Sequence, residues 1–279
     1  MSYYNYRPSP FSNIPLAVKN LLIINGLFFL ATMVFDASFR VNLIDVLGLH
    51  YWTSSEFKPH QVITHMFMHG GFGHLFSNMF ALWMFGATLE HRWGSKRFIF
   101  FYLFTALGAA ILHQTVTGIE IFRAQGAIDF FTANPTVDNF VAAIKAAGFT
   151  PDTTYIGEMR SIFTSGVIEN KAEVAEFTQS LNALLVKKSN IPTVGASGAV
   201  FGVLIAFALY QPNTELFMFF IPFPIKAKYF VGFYAAMELY LGIQNNPGDS
   251  VAHFAHLGGA LFGYILVKYW NKSNRNSFY

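Results

Sequence analysis

No cysteine occurs in this sequence, and charged residues make up only 12% of it. The first absence excludes disulfides, thiolate metal sites and a cysteine nucleophile. The second excludes an ordinary water-soluble surface, since soluble domains carry about a quarter charged residues. No His-Glu-x-x-His motif is present, and no Asp, Glu, Lys or Arg lies between Pro59 and Leu89. The four histidines at 60, 65, 69 and 74 therefore lack the carboxylate that would complete a zinc site, and no metal or other cofactor is expected. The predicted spans hold no aspartate pair for an aspartyl protease, and neither paired charges nor internal repeats of the transporter kind. No basic block is dense enough for nucleic acid.

What remains is apolar: 53% of the 279 residues are hydrophobic, 33 of them phenylalanine. Several runs approach the roughly 20 apolar residues that cross a hydrocarbon core, so the expected fold class is an all-α polytopic membrane protein in the lipid bilayer. Six transmembrane helices are predicted: about Asn20 to Phe35, Phe72 to Leu89, Phe98 to Gln114, Ser197 to Tyr210, Ala227 to Ile243 and Val251 to Tyr269. Met1–Asn13 is polar and aromatic with Arg7 its one charge, which does not read as a cleavable signal. Phe217 to Ile225 carries Pro222 and Pro224 and reads as an interfacial loop.

Between the third and fourth spans, residues 115–190 change character, with eight acidic and six basic side chains. This stretch reads as a helical insert outside the membrane, with amphipathic helices over Asp138 to Ala147 and Lys171 to Lys187. The chain thus divides into 1–114, the insert 115–190, 191–270 with the last three spans, and a tail 271–279. Arg92, Lys96, Arg97, Lys226, Lys228, Lys268, Lys272 and Arg275 fall on one side of such a bundle. The positive-inside rule makes that side and both termini cytoplasmic, and the insert extracytoplasmic. A bacterial cytoplasmic membrane is the expected location.

Val194-Gly195-Ala196-Ser197-Gly198 opens the fourth span. A serine in a first helical turn sits beside amides without intrahelical partners, where an attacked carbonyl would develop its charge. The sixth span brings His256 to a similar depth, with Gly259 and Gly263 forming a small-residue face one turn below. Helices that approach closely along such faces bring short side chains within reach, so His256 is the candidate base for Ser197. His253, one turn nearer water, is a competing candidate. His74 and Asn78, four apart on the second span, share a helix face; with the Ser197 amide they make a three-donor oxyanion site. Glu238 on the fifth span is the one carboxylate well inside a predicted span, and nothing in the sequence assigns it a role.

In order along the chain stand His65-x3-His69, His74-x3-Asn78 with Met79, Glu90 and Gly94, Gly195-Ala196-Ser197-Gly198, and Ala255-His256-Leu257-Gly258-Gly259. With this ordered set the chain resembles the rhomboid intramembrane serine proteases from about Asn20 to Trp270, the insert excepted. The resemblance implies a rhomboid-like six-helix bundle and a Ser197–His256 dyad with no carboxylate. It implies oxyanion donors at His74, Asn78 and the Ser197 amide, and cleavage of transmembrane protein substrates. It also implies that Phe201 packs on the catalytic imidazole, and that the fifth span or first outer loop serves as the lateral gate. Two features depart from the family: His60 and Gln61 stand where some members have a Trp-Arg pair, and the insert replaces a short connection.

Overall fold

Hydrocarbon offers a peptide group no hydrogen bonds, so apolar runs must satisfy their own backbone, and here they do so as helices. The computed structural model describes residues 14–218, 221–244, 249 and 251–276. The polar tail over Met1–Asn13 with Arg7, and the end of the predicted C-terminal tail, lie outside the described residues. Helix α1 spans Leu16–Phe39 and is followed by the short helices α2 (Leu43–Leu47) and α3 (Gln61–Thr64). Helices α4 (Phe72–Ala81) and α5 (Ala87–Trp93) are joined by a π-helical turn, Leu82–Gly86, without leaving helical conformation. Helix α6 runs from Ser95 to Ala133. There follow α7 (Val137–Ala146), α8 (Thr153–Ile162), α9 (Lys171–Ser189), α10 (Ser197–Tyr210), strands β1 (Glu215–Met218) and β2 (Ile221–Lys226), α11 (Ala227–Gln244) and α12 (His253–Asn276).

Helix α10 is apolar on every side, which suits only a helix surrounded by others. It buries Gly198 through Leu204, Ala206 and Phe207 against α6 and α12. Small residues set the approach. A Cβ at Gly259 would collide with the Gly198 carbonyl, one at Gly263 would lie 2.9 Å from Gly202 Cα, and one at Gly258 2.8 Å from Ala109 Cα. Around this centre Phe98, Phe101, Tyr102, Leu82 and Val203 are fully buried. On α1, by contrast, Leu16, Leu27, Leu30 and Met33 are each more than half exposed, a surface suited to lipid. Among the described residues two helices, Leu16–Phe39 and Ser95–Ala133, are long and apolar enough to cross a membrane by themselves.

At the end of the bundle remote from Ser197, Trp93 packs against Phe101, Tyr210 and Trp270 at 5.0, 5.6 and 5.4 Å. Arg92 lies over the Tyr210 ring and Arg97 over Trp270. Rings with a polar edge beside cations are what a membrane–water interface selects. Glu90, only 2% exposed, ties this end together. Its carboxylate accepts from the Ala17 and Val18 amides, both at 2.8 Å, and from the Ser95 hydroxyl at 2.6 Å. One anion thereby satisfies the open N-terminus of α1 and fixes the turn into α6.

Three features differ from the sequence reading. Helix α6 does not stop near Gln114 but continues to Ala133, because Ala124, Ile128 and Phe131 are held by the insert's own core. That core is completed by Val137, Phe140, Ile156, Met159, Leu181 and Leu185, and includes α8, which weak periodicity concealed. The predicted interfacial loop is a β-hairpin pairing Glu215 with Lys226. Pro222 and Pro224 are accommodated in it because both strands of a lone hairpin are edge strands. Replacing Glu90 with alanine strands two buried amides; unfolding in detergent is expected to show about 3 kcal/mol of lost stability.

Candidate active site

The segment entering α10 is fastened before the serine is reached. Thr193 and Leu49 exchange both backbone hydrogen bonds at 2.9 Å, and the Thr193 hydroxyl lies 2.8 Å from His113 Nε2. The Gly195 amide donates to the His65 carbonyl at 2.9 Å. Gly195 has φ 130°, a conformation that glycine adopts without strain. A Cβ there would come within 2.8 Å of the His74 ring and 3.4 Å of Ser197 Oγ. The missing side chain is therefore the space across which His74 faces the serine. Ser197 is the first residue of α10, so its amide has no intrahelical acceptor.

His256 sits in the first turn of α12, three residues before Gly259, whose contact with Gly198 brings the starts of α10 and α12 together. Phe201 is stacked on the imidazole, ring centroids 4.5 Å apart and planes within 8°. Tyr234 of α11 also packs against Phe201, tilted, with ring centroids 4.7 Å apart. Among the described residues no hydrogen bond joins Ser197 to His256; such bonds are often long without substrate and tighten in the reacting complex. The imidazole is instead anchored through Nδ1, 2.9 Å from Glu238 Oε2. A carboxylate only accepts, so Nδ1 carries the hydrogen and Nε2 keeps a lone pair.

Glu238 is the site residue that the sequence reading passed over. The same Oε2 lies 2.6 Å from His253 Nδ1, while His253 Nε2 lies 2.9 Å from Asp249 Oδ2. Both ring nitrogens of His253 are thus committed, which removes it as a competing base. The signal was available: an ionisable side chain inside a span requires a partner, and Glu238 lies at the depth of the two histidines.

The oxyanion candidates are less closely joined. His74 borders Ser197 through Gly195 as described. The Asn78 side-chain amide is buried and donates to the His74 carbonyl at 3.0 Å, which commits one of its hydrogens within its own helix. His69 meets His74 edge-on at 5.0 Å. Burial, with His74 adding to it, pushes His69 down to about 4, so it is neutral at pH 7. Burial also lowers His65, whose Nδ1 faces the Gln61 carbonyl at 2.9 Å. Among the described residues no three metal-ligating side chains converge.

Gln61 performs a task that its replacement of an arginine left open. It is 1% exposed; its Oε1 accepts from the Lys58 amide at 3.0 Å and its Nε2 donates to the Glu56 carbonyl at 3.0 Å. The neighbouring His60 ring nitrogen Nε2 is 3.0 Å from the Val46 carbonyl. Gln114 of α6 closes the loop from the other side, donating to the His50 carbonyl at 3.0 Å. Amide side chains, each both donor and acceptor, here supply the internal ties of the outer loop.

Comparison with known proteins adds the following. A family model described as the rhomboid domain matches residues 56–122 and 163–272, omitting 123–162. RHOMBOID-like protein 12, mitochondrial, of Arabidopsis thaliana is 24% identical over 265 residues, 94% of this chain and 59% of that protein. Rhomboid protein 1, mitochondrial, of Saccharomyces cerevisiae is 33% identical over 82 residues, 29% of this chain and 23% of its own length. An uncharacterized mitochondrial rhomboid protein of Schizosaccharomyces pombe is 35% identical over 85 residues, 28% of this chain and 21% of that protein. The chain therefore spans about three fifths of the first relative and under a quarter of the other two. All three are named as mitochondrial, so the bacterial cytoplasmic membrane expected from the sequence finds no support in them.

The helix contact beside the serine generates a direct test. Gly259→Ala places a methyl group against backbone and is expected to lower stability by about 1–3 kcal/mol in detergent unfolding. Gly232→Ala, at a position with open space around it, is expected to leave stability unchanged or raise it slightly.

Proposed function

We propose, since the chain belongs to the rhomboid family, that it is an intramembrane serine endopeptidase hydrolysing peptide bonds in or near transmembrane segments of other membrane proteins. Ser197 is the nucleophile and His256 the base. The observation that supports this reading is the backbone contact of Gly198 with Gly259, one residue beyond Ser197 and three beyond His256, together with the bond that already occupies His256 Nδ1. The Ser197 hydroxyl passes its proton to His256 Nε2 as its oxygen attacks the scissile carbonyl carbon. The oxyanion that results lies against the Ser197 amide, the His74 ring and the Asn78 side chain. Collapse breaks the C–N bond while His256 returns the proton to the leaving amine. Water, activated by the same imidazole, then hydrolyses the acyl-enzyme.

A helical substrate hides its carbonyls in its own hydrogen bonds, so the segment must unwind to meet Ser197. Substrates with glycine or proline beside the cut are favoured. Phe201 stacks on the face of the imidazole and Glu238 holds its Nδ1 edge, which together preserve its aim during both proton transfers. Six crossings, with both termini on the side of Arg92, Lys96 and Arg97 and the insert opposite, put the serine near the membrane surface that faces the insert.

Two measurements test this reading. A serine-directed fluorophosphonate is expected to label the detergent-solubilised protein, with no labelling of Ser197→Ala and at least about 100-fold slower labelling of His256→Ala. Labelling that survives Ser197→Ala refutes the nucleophile. A protein that neither labels nor cuts a transmembrane reporter is a client-binding relative instead. For topology, the lack of native cysteine makes single-cysteine labelling clean. Ser165→Cys in the insert and Lys96→Cys before α6 are expected to react with an impermeant maleimide from opposite sides of the membrane.

A further inference from the structure

The carboxylate against His256 has no counterpart in a two-residue mechanism. We propose that Glu238 is a positioning residue that completes a Ser197–His256–Glu238 relay, held in its anionic form by His253 and Asp249. The inference rests on the protease reading and deepens it.

The argument begins with donors and acceptors. Glu238 Oε2 lies 2.9 Å from His256 Nδ1 and 2.6 Å from His253 Nδ1, and Asp249 Oδ2 lies 2.9 Å from His253 Nε2. With both ring nitrogens facing carboxylates, His253 donates from both, which makes it an imidazolium. Asp249, in the loop before α12, is correspondingly held below its usual range by its hydrogen bond to His253. The cluster of Glu238, His253 and Asp249 thus carries one net negative charge while His256 is neutral. When His256 takes the serine proton, it becomes the cation that neutralises the cluster. Glu238 is 4% exposed, where little water screens that attraction. It therefore fixes the Nδ1–H tautomer in the resting enzyme and stabilises the imidazolium formed during attack.

The surroundings leave few other groups to do this. The titratable and charged groups around His256 are Glu238 on its Nδ1, His74 from α4 and His113 from α6 within electrostatic range, His253 and Asp249 linked to it through Glu238, and Tyr234 from α11 packed on the Phe201 ring. Glu238 is the one anion among them in direct contact with the ring. The link also joins α11 to α12, so a displacement of α11 that opened a path for substrate would separate carboxylate from imidazole. The relay is then complete only while α11 is seated.

The test uses the full chain in proteoliposomes with a transmembrane peptide substrate. Glu238→Gln keeps the size of the side chain and removes its charge. It is expected to lower kcat at least about 100-fold with KM little changed, since neutralising the orienting carboxylate of a Ser-His-Asp protease costs about 10⁴. Losing the anion also disfavours the imidazolium, so the acid limb of the kcat profile is expected to move about one unit to lower pH. Glu238→Asp, which retains the charge, is expected to restore most of the limb's position and part of kcat. Should the variants fail to fold, ¹⁵N spectra of Ser197→Ala are expected to show His256 protonated at Nδ1 alone and His253 at both nitrogens. A Glu238→Gln enzyme with wild-type kcat and acid limb, or a His256 protonated at Nε2, overturns the relay while leaving the Ser–His protease intact. A wild-type protein without peptidase activity or serine labelling removes the protease reading, and the relay with it.

Discussion

The rest of the structure depends on how closely two backbones lie. Where α10 meets α12, Gly198 and Gly202 face Gly259 and Gly263 with no room for a methyl group. In lipid, helices gain little by hiding apolar surface from one another, so close packing and polar contacts must hold them together. Glycine supplies both the packing and the reach. A serine side chain has one heavy-atom torsion, so what Ser197 can reach is set by where the helices place its backbone. The contact forms one residue beyond Ser197 and three beyond His256, so close packing fixes the backbone that carries both side chains.

Polar groups near the serine are then handled in two ways. His65 and His69, pushed toward neutrality by burial, bring no charge to the side of Ser197 on which they lie. Around His253 the opposite holds: charges are present but meet one another at 2.6 and 2.9 Å. Charge is thereby confined to the side of Glu238, His253 and Asp249. At Ser197 itself the unpaired amides of the helix N-terminus carry partial positive charge.

Much of this was legible in the chain. The small residues around Ser197 and Gly259 announced a close contact, and His74 could be placed by its spacing from Asn78. The amphipathic helix over Lys171 to Lys187 appears as α9, whose Leu181 and Leu185 are buried in the insert's core. Glu238 was not legible as a partner because pairing across two helices depends on rotation about each axis, which sequence spacing within one helix does not supply. The length of α6 was hidden for a related reason: Thr115, Val116, Thr117 and Gly118 are weak helix formers, and what keeps them helical is contact with distant residues. Gly118 leaves room there for the Tyr51 hydroxyl, which would lie 2.7 Å from a Cβ. Gln61 was visible only as a departure, and its role emerged once the carbonyls around it had positions.

The unbroken α6 has a mechanical consequence. A helix of 39 residues is about 58 Å long at 1.5 Å per residue, roughly twice the thickness of the hydrocarbon layer. Its lower half is a wall of the bundle, touching α12 at Gly108 and Ala109, and its upper half is a mast on which the insert's core is rigged. The Lys188–Glu120 ion pair at 3.0 Å braces mast to stay. A load hung on that superstructure bears on the same continuous helix that lies against Gly198 and Gly258, so leverage applied at the insert reaches the bundle along a single unbroken rod.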